Sequence, residues 1–122
     1  MNKRKSGISG RLKSFVFAFD GIIELIKSEP NSQIHLLASL IAVVLGLLLK
    51  ITLSEWCIII FAISLVWISE AFNTAIEKLV DHLFPEINET ARCIKDISAG
   101  AVLIISIAAF IAGIIIFVPK LF

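Results

Sequence analysis

Apolar residues fall into one striped segment and three nearly continuous ones. Between about residues 8 and 28, Leu12, Phe15, Val16, Phe19, Ile22, Ile23 and Ile26 share one helical face, while Lys13, Asp20, Glu24 and Lys27 share another. The spacing predicts an amphipathic helix suited to lying in a membrane interface. Pro30 ends it, because the residue before a proline is pushed out of the α region, and Asn31 or Ser32 is placed to cap the next helix. Leu36 to Leu49 carries no charge, with His35 and Lys50 as interfacial ends, which gives a first span over about 32–50. Lys50 to Glu55 reads as a tight turn. Ser54 is placed to cap a second helix over about 55–82, wholly apolar in its outer half and closed by Pro85 in a polar loop, 84–90. A third span, about 91–118, is uncharged from Ile97 to Val118, with Lys95 and Asp96 before that run and Lys120 after it. The expected fold is all-α and membrane-integral, a single domain over 1–122 with a surface helix and three transmembrane helices.

Composition supports lipid as the solvent. At 58% hydrophobic and 17% charged residues in 122, there is too little polar surface to cover a soluble monomer. Eleven Lys and Arg against ten Asp and Glu leave no concentrated basic face, so no nucleic-acid partner is expected. Cys57 and Cys93 form no CxxC or Cys/His cluster and read as free thiols. Lys3, Arg4 and Lys5 imitate the start of a signal peptide, but Asp20 and Glu24 interrupt the apolar region it needs and no small-residue cleavage site follows. Those three residues with Arg11 and Lys13 precede span one, and Arg92 and Lys95 lie between spans two and three. The opposite ends show only Lys50 and Lys120. The positive-inside rule therefore puts the N-terminus, the inner end of helix two and the 84–96 loop in the cytoplasm.

The second helix carries the most informative pattern. At about 100° per residue, Glu70, Asn73, Glu77 and Asp81 lie within an arc of roughly 80°. An ionised side chain below the bilayer surface costs on the order of 3 kcal/mol unless paired, protonated or hydrated. An interfacial polar face packed against basic residues is one explanation, with Asp81 merely solvated. A functional one is that Glu29, at the same predicted depth as Glu77, shares a hard divalent cation with it. Asn73 can then orient a phosphate, and Lys95 can neutralise phosphate charge or serve as a snorkelling anchor. Asp96 also fits as an N-terminal helix charge.

The run Glu70-Ala-Phe-Asn73-Thr-Ala-Ile-Glu77-Lys-Leu-Val-Asp81, followed by Lys95-Asp96-Ile-Ser-Ala-Gly-Ala-Val, resembles the signature of the bacterial diacylglycerol kinase family, small integral-membrane lipid kinases. The segment Glu29 to His35 and the ending Ile-Phe-Val-Pro119-Lys120-Leu resemble its undecaprenol kinase branch more closely. The resemblance implies transfer of the γ-phosphoryl group of ATP, with Mg2+, to the hydroxyl of a membrane lipid, either diacylglycerol or undecaprenol. Glu70 would be the general base, and Glu29 and Glu77 would hold magnesium and ATP. Asn73, Lys95 and Asp96 would belong to the nucleotide and phosphate site, with Asp81, Glu86, Asn88 and Phe17 near the nucleotide. Arg11, Ser98 and Ala99 would meet the lipid. It further implies a homotrimer with shared sites in the bacterial cytoplasmic (inner) membrane. Two departures bear on adenine contacts: the spacing of Arg11 to Lys13 is shifted, and Phe17 replaces an aromatic hydroxyl.

The chain has no Walker A or kinase glycine-rich loop, so the phosphoryl-transfer reading stands on these carboxylates and cations alone. Small residues at Ala99, Gly100, Ala101, Ala109, Ala112 and Gly113 permit close helix approach, within or between chains. The alternative is a small proton-coupled transporter with Glu70 as its intramembrane ion site, which leaves Glu29, Lys95 and Asp96 without a task. A non-catalytic assembly factor accounts for the spans and not for the aligned acidic face.

Overall fold

The computed structural model describes residues 7–86 and 88–122. Lys3, Arg4 and Lys5, on which the topology assignment partly rests, lie outside the described residues. Four helices follow one another: α1 (Ile8–Ser28), α2 (Pro30–Leu48), α3 (Leu53–Leu83) and α4 (Glu89–Leu121). The last three are long and apolar enough to cross a membrane. At 1.5 Å per residue, the 31 residues of α3 extend roughly 46 Å, well past a hydrocarbon core of about 30 Å. Glu70 comes about 26 Å along α3 and Asp81 about 42 Å, so the polar stripe runs from the apolar boundary outward.

The helix starts depart from expectation in instructive ways. Pro30 is itself the first residue of α2, with Glu29 extended before it (φ −113°, ψ 114°), so neither Asn31 nor Ser32 caps that helix. Ser32 is fully buried instead, its hydroxyl 2.9 Å from the carbonyl of Leu25, 3.3 Å from that of Ile26 and 2.6 Å from that of Glu29. Of these, the Ile26 carbonyl is the one whose helical donor is missing, because Pro30 has no N–H, while Leu25 also accepts from Glu29 N–H at 3.2 Å. The α2–α3 turn closes at Lys50, whose φ of 51° is left-handed, with Ile51 N–H donating to the Gly46 carbonyl at 3.2 Å. Thr52, not Ser54, caps α3: its Oγ1 accepts from Glu55 N–H at 3.2 Å while Glu55 accepts from Thr52 N–H at 2.9 Å. Asn88 likewise starts α4 at Glu89, accepting from the N–H groups of Thr90 and Ala91.

The antiparallel α3 and α4 are fastened at both ends, by Lys95 to Asp81 at 2.8 Å and by Lys120 to Glu55 at 3.1 Å. The buried apolar cluster of Ile51, Ile59, Ile116 and Phe117 sits toward the Lys120 end, away from the polar stripe. There Gly46 lets Trp56 approach so closely that a Cβ would lie 2.7 Å from the indole. α1 buries only Gly10 and Leu25 and leaves its phenylalanines exposed, as an interface-lying helix does. Glu24 reaches Lys78 at 3.8 Å and ties it to α3.

Candidate active site

The stripe on α3 is graded in burial along the helix, although α3 stays packed on α4 as far as Val80. Glu70 is 2% exposed, Asn73 and Thr74 are buried, Glu77 is half-buried and Asp81 is exposed. Each of the four carboxylate and amide side chains has a partner. Glu70 Oε2 lies 3.4 Å from His35 Nε2 on α2. Asn73 Oδ1 accepts from Ser98 Oγ at 2.6 Å, and its amide donates to Glu77 Oε1 at 3.4 Å. Lys95 Nζ donates to Asp81 Oδ1. The α3–α4 seam thus joins Asp81, Lys95, Glu77, Asn73 and Ser98 in one polar ladder, with Glu70 at its buried end.

Two cavities flank this ladder. A cavity of about 360 Å³ at the α3–α4 connection is lined by Asp81, Glu86, Asn88, Lys95 and Asp96, five of the residues expected at the nucleotide. Arg92 lines it too and pairs with Asp96 at 2.7 Å and with Glu89. The other cavity, about 500 Å³, is apolar and lies between α2, α3 and α4 from His35 to Phe117. An apolar and a polar space therefore lie along one face of α3, at the two ends of the ladder and roughly 21 Å apart from Val66 to Val80.

The remaining predicted residues lie apart from the ladder. Glu29 is half-buried at the α1–α2 corner. It follows Glu24 by five residues, roughly 7.5 Å of helical rise, and Glu24 contacts Lys78, the neighbour of Glu77. Arg11 and Phe17 sit on α1, outside the lining of both cavities, and Ala99 is exposed beside Ser98. Among the described residues no three His, Cys, Asp or Glu side chains group closely enough to hold a metal. The half-buried carboxylate oxygens of Glu77 and Glu29 are hard donors of the kind magnesium takes, and magnesium commonly uses one or two carboxylates with substrate phosphates completing its shell.

Sequence reasoning missed His35 and Arg92 as site residues. His35 is the one titratable side chain between Pro30 and Leu49, a signal that alone gives no partner. Arg92 is masked by its i, i+4 spacing to Asp96, which reads as an ordinary surface pair.

A family model described as prokaryotic diacylglycerol kinase matches residues 16–117, which include every predicted site residue except Arg11. The chain belongs to the prokaryotic diacylglycerol kinase family. It is a lipid kinase, and its three long apolar helices are the transmembrane part of that fold. Similar proteins include the undecaprenol kinase of Bacillus subtilis, 38% identical over 109 residues that cover 89% of each chain. The diacylglycerol kinase of Synechocystis is 32% identical over 111 residues, 90% of this chain and 63% of that protein. That of Escherichia coli K12 is 29% identical over 116 residues, 95% of each. These relatives lend the transporter reading no support.

Proposed function

We propose that the protein transfers the γ-phosphoryl group of ATP to the hydroxyl of a polyprenol, undecaprenol in the first instance, at the inner face of the bacterial cytoplasmic membrane. The observation that carries this is the single face of α3 running from a buried carboxylate beside an apolar cavity to a carboxylate–lysine pair lining a polar one. The choice of polyprenol over diacylglycerol is supported by similarity to an undecaprenol kinase at 38% identity, against 29% to the Escherichia coli diacylglycerol kinase.

In this reading Glu70 takes the lipid hydroxyl proton as the lipid oxygen attacks the γ-phosphorus. Asn73, Lys95 and Asp96 position the phosphates, with Lys95 exchanging Asp81 for phosphate oxygen when nucleotide binds. Glu86, Asn88, Asp81 and Phe17 flank the nucleotide, and Arg11, Ser98 and Ala99 face the lipid. Glu29 and Glu77 would hold magnesium, which would supply neutralisation of the charge developing on the phosphoryl group. Three copies assemble, so that exposed residues of α1 and α4 complete a neighbour's site.

Labelled ATP offered with magnesium and either undecaprenol or diacylglycerol to the bilayer-embedded protein tests the choice of acceptor. Faster transfer to undecaprenol is expected; preference for diacylglycerol overturns that choice, and transfer to neither overturns the reading.

A further inference from the structure

We propose that His35 is a positioning residue for Glu70, its ring Nε2–H holding one carboxylate oxygen so that the other faces the lipid hydroxyl. The inference rests on the reading of Glu70 as the base. Glu70 is buried to 2% exposure, and the polar partner it meets is His35 Nε2, 3.4 Å from Oε2. At 3.4 Å the contact is longer than an ordinary N–H···O hydrogen bond, as catalytic contacts without substrate often are.

The histidine is itself fixed. Its ring stands edge-on to Trp67, with centroids 6.4 Å apart and planes at 68°. Trp67 Nε1–H donates to Ser39 Oγ at 3.1 Å, and Ser39 donates back to the His35 carbonyl at 2.7 Å. Residues 35 and 39 are one turn apart on α2, and 67 and 70 one turn apart on α3, so two rungs join the same pair of helix faces. Rotating either helix breaks both. His35 also lines the apolar cavity, which sets the imidazole between that space and the carboxylate.

A buried carboxylate without a donor is free to present either oxygen. With Oε2 held, Oε1 receives the lipid proton while the lipid oxygen bonds to the γ-phosphorus and the bond from that phosphorus to the β,γ-bridging oxygen breaks, releasing ADP. His35 keeps its own proton throughout.

The test is steady-state transfer from labelled ATP to saturating undecaprenol, or to diacylglycerol if that is the better acceptor, by protein in lipid nanodiscs. His35→Phe keeps a ring against Trp67 and lacks the donor; its kcat is expected to fall roughly 100-fold, the cost of a misplaced group, with KM for ATP unchanged. His35→Gln, whose amide can donate to the same oxygen, is expected to restore most of the loss. Wild-type kcat in His35→Phe, or a His35→Gln as slow as His35→Phe, overturns the proposal. Glu70→Gln in the same assay separates the two claims: an active Glu70→Gln removes the base itself, whereas an inactive one beside an unimpaired His35→Phe removes only the role of His35.

Discussion

Side chains that are costly in an apolar bundle persist where something repays them, and here the repayment is visible residue by residue. Asn73 is partnered by Ser98 and Glu77, and Asp81 by Lys95. Glu77 is half-buried, and in the proposed function its carboxylate would hold magnesium. Glu77→Gln is therefore expected to raise the magnesium concentration giving half-maximal activity by at least the roughly tenfold that outer-shell ligand partners are worth, and Glu29→Gln likewise. A magnesium titration unchanged in both variants discards the metal assignment. The acidic stripe was legible in sequence because every charge inside an apolar segment demands an explanation. His35 was not, because its partner lies 35 residues away on another helix, and only the packing of α2 on α3 joins them.

At the scale of elements, helical spacing and the bilayer's length requirement were enough to find all four helices, since long uncharged runs have few other uses. Helix starts were harder. Thr52-Leu-Ser54-Glu55 offers two hydroxyl caps, and the three-residue interval to Glu55 favours Thr52, as the structure has it. Thr52→Ala is accordingly expected to cost about 1 kcal/mol in unfolding measurements on detergent-solubilised protein, and Ser54→Ala only a few tenths. Equal costs would contradict the assigned cap. The role of Ser32 was hidden for another reason: its hydroxyl serves carbonyls at the end of the preceding helix, a matter of how the α1–α2 corner folds back.

As a whole molecule the protomer is a thin object. Only 11–17% of each span's most apolar window is buried within it. Gly100 has open space where a Cβ would stand, unlike Gly46, which is filled by Trp56, whereas Gly113 opens onto the apolar cavity. Gly100 is thus available to a neighbour, in keeping with the proposed trimer. Gly100→Leu is expected to lower the fraction of trimer measured by light scattering in detergent while leaving helical content intact; an unchanged trimer fraction would place the interface elsewhere. In the proposed function the chemistry of the assembly turns on Glu70, the buried carboxylate whose partner His35 lines the apolar cavity. Its most direct test is a single turnover of γ-labelled ATP with excess lipid by Glu70→Gln. Removing a general base predicts a loss of about 10²- to 10⁴-fold in the transfer step, with nucleotide affinity and assembly mass unchanged. Transfer at the wild-type rate by that variant would contradict it.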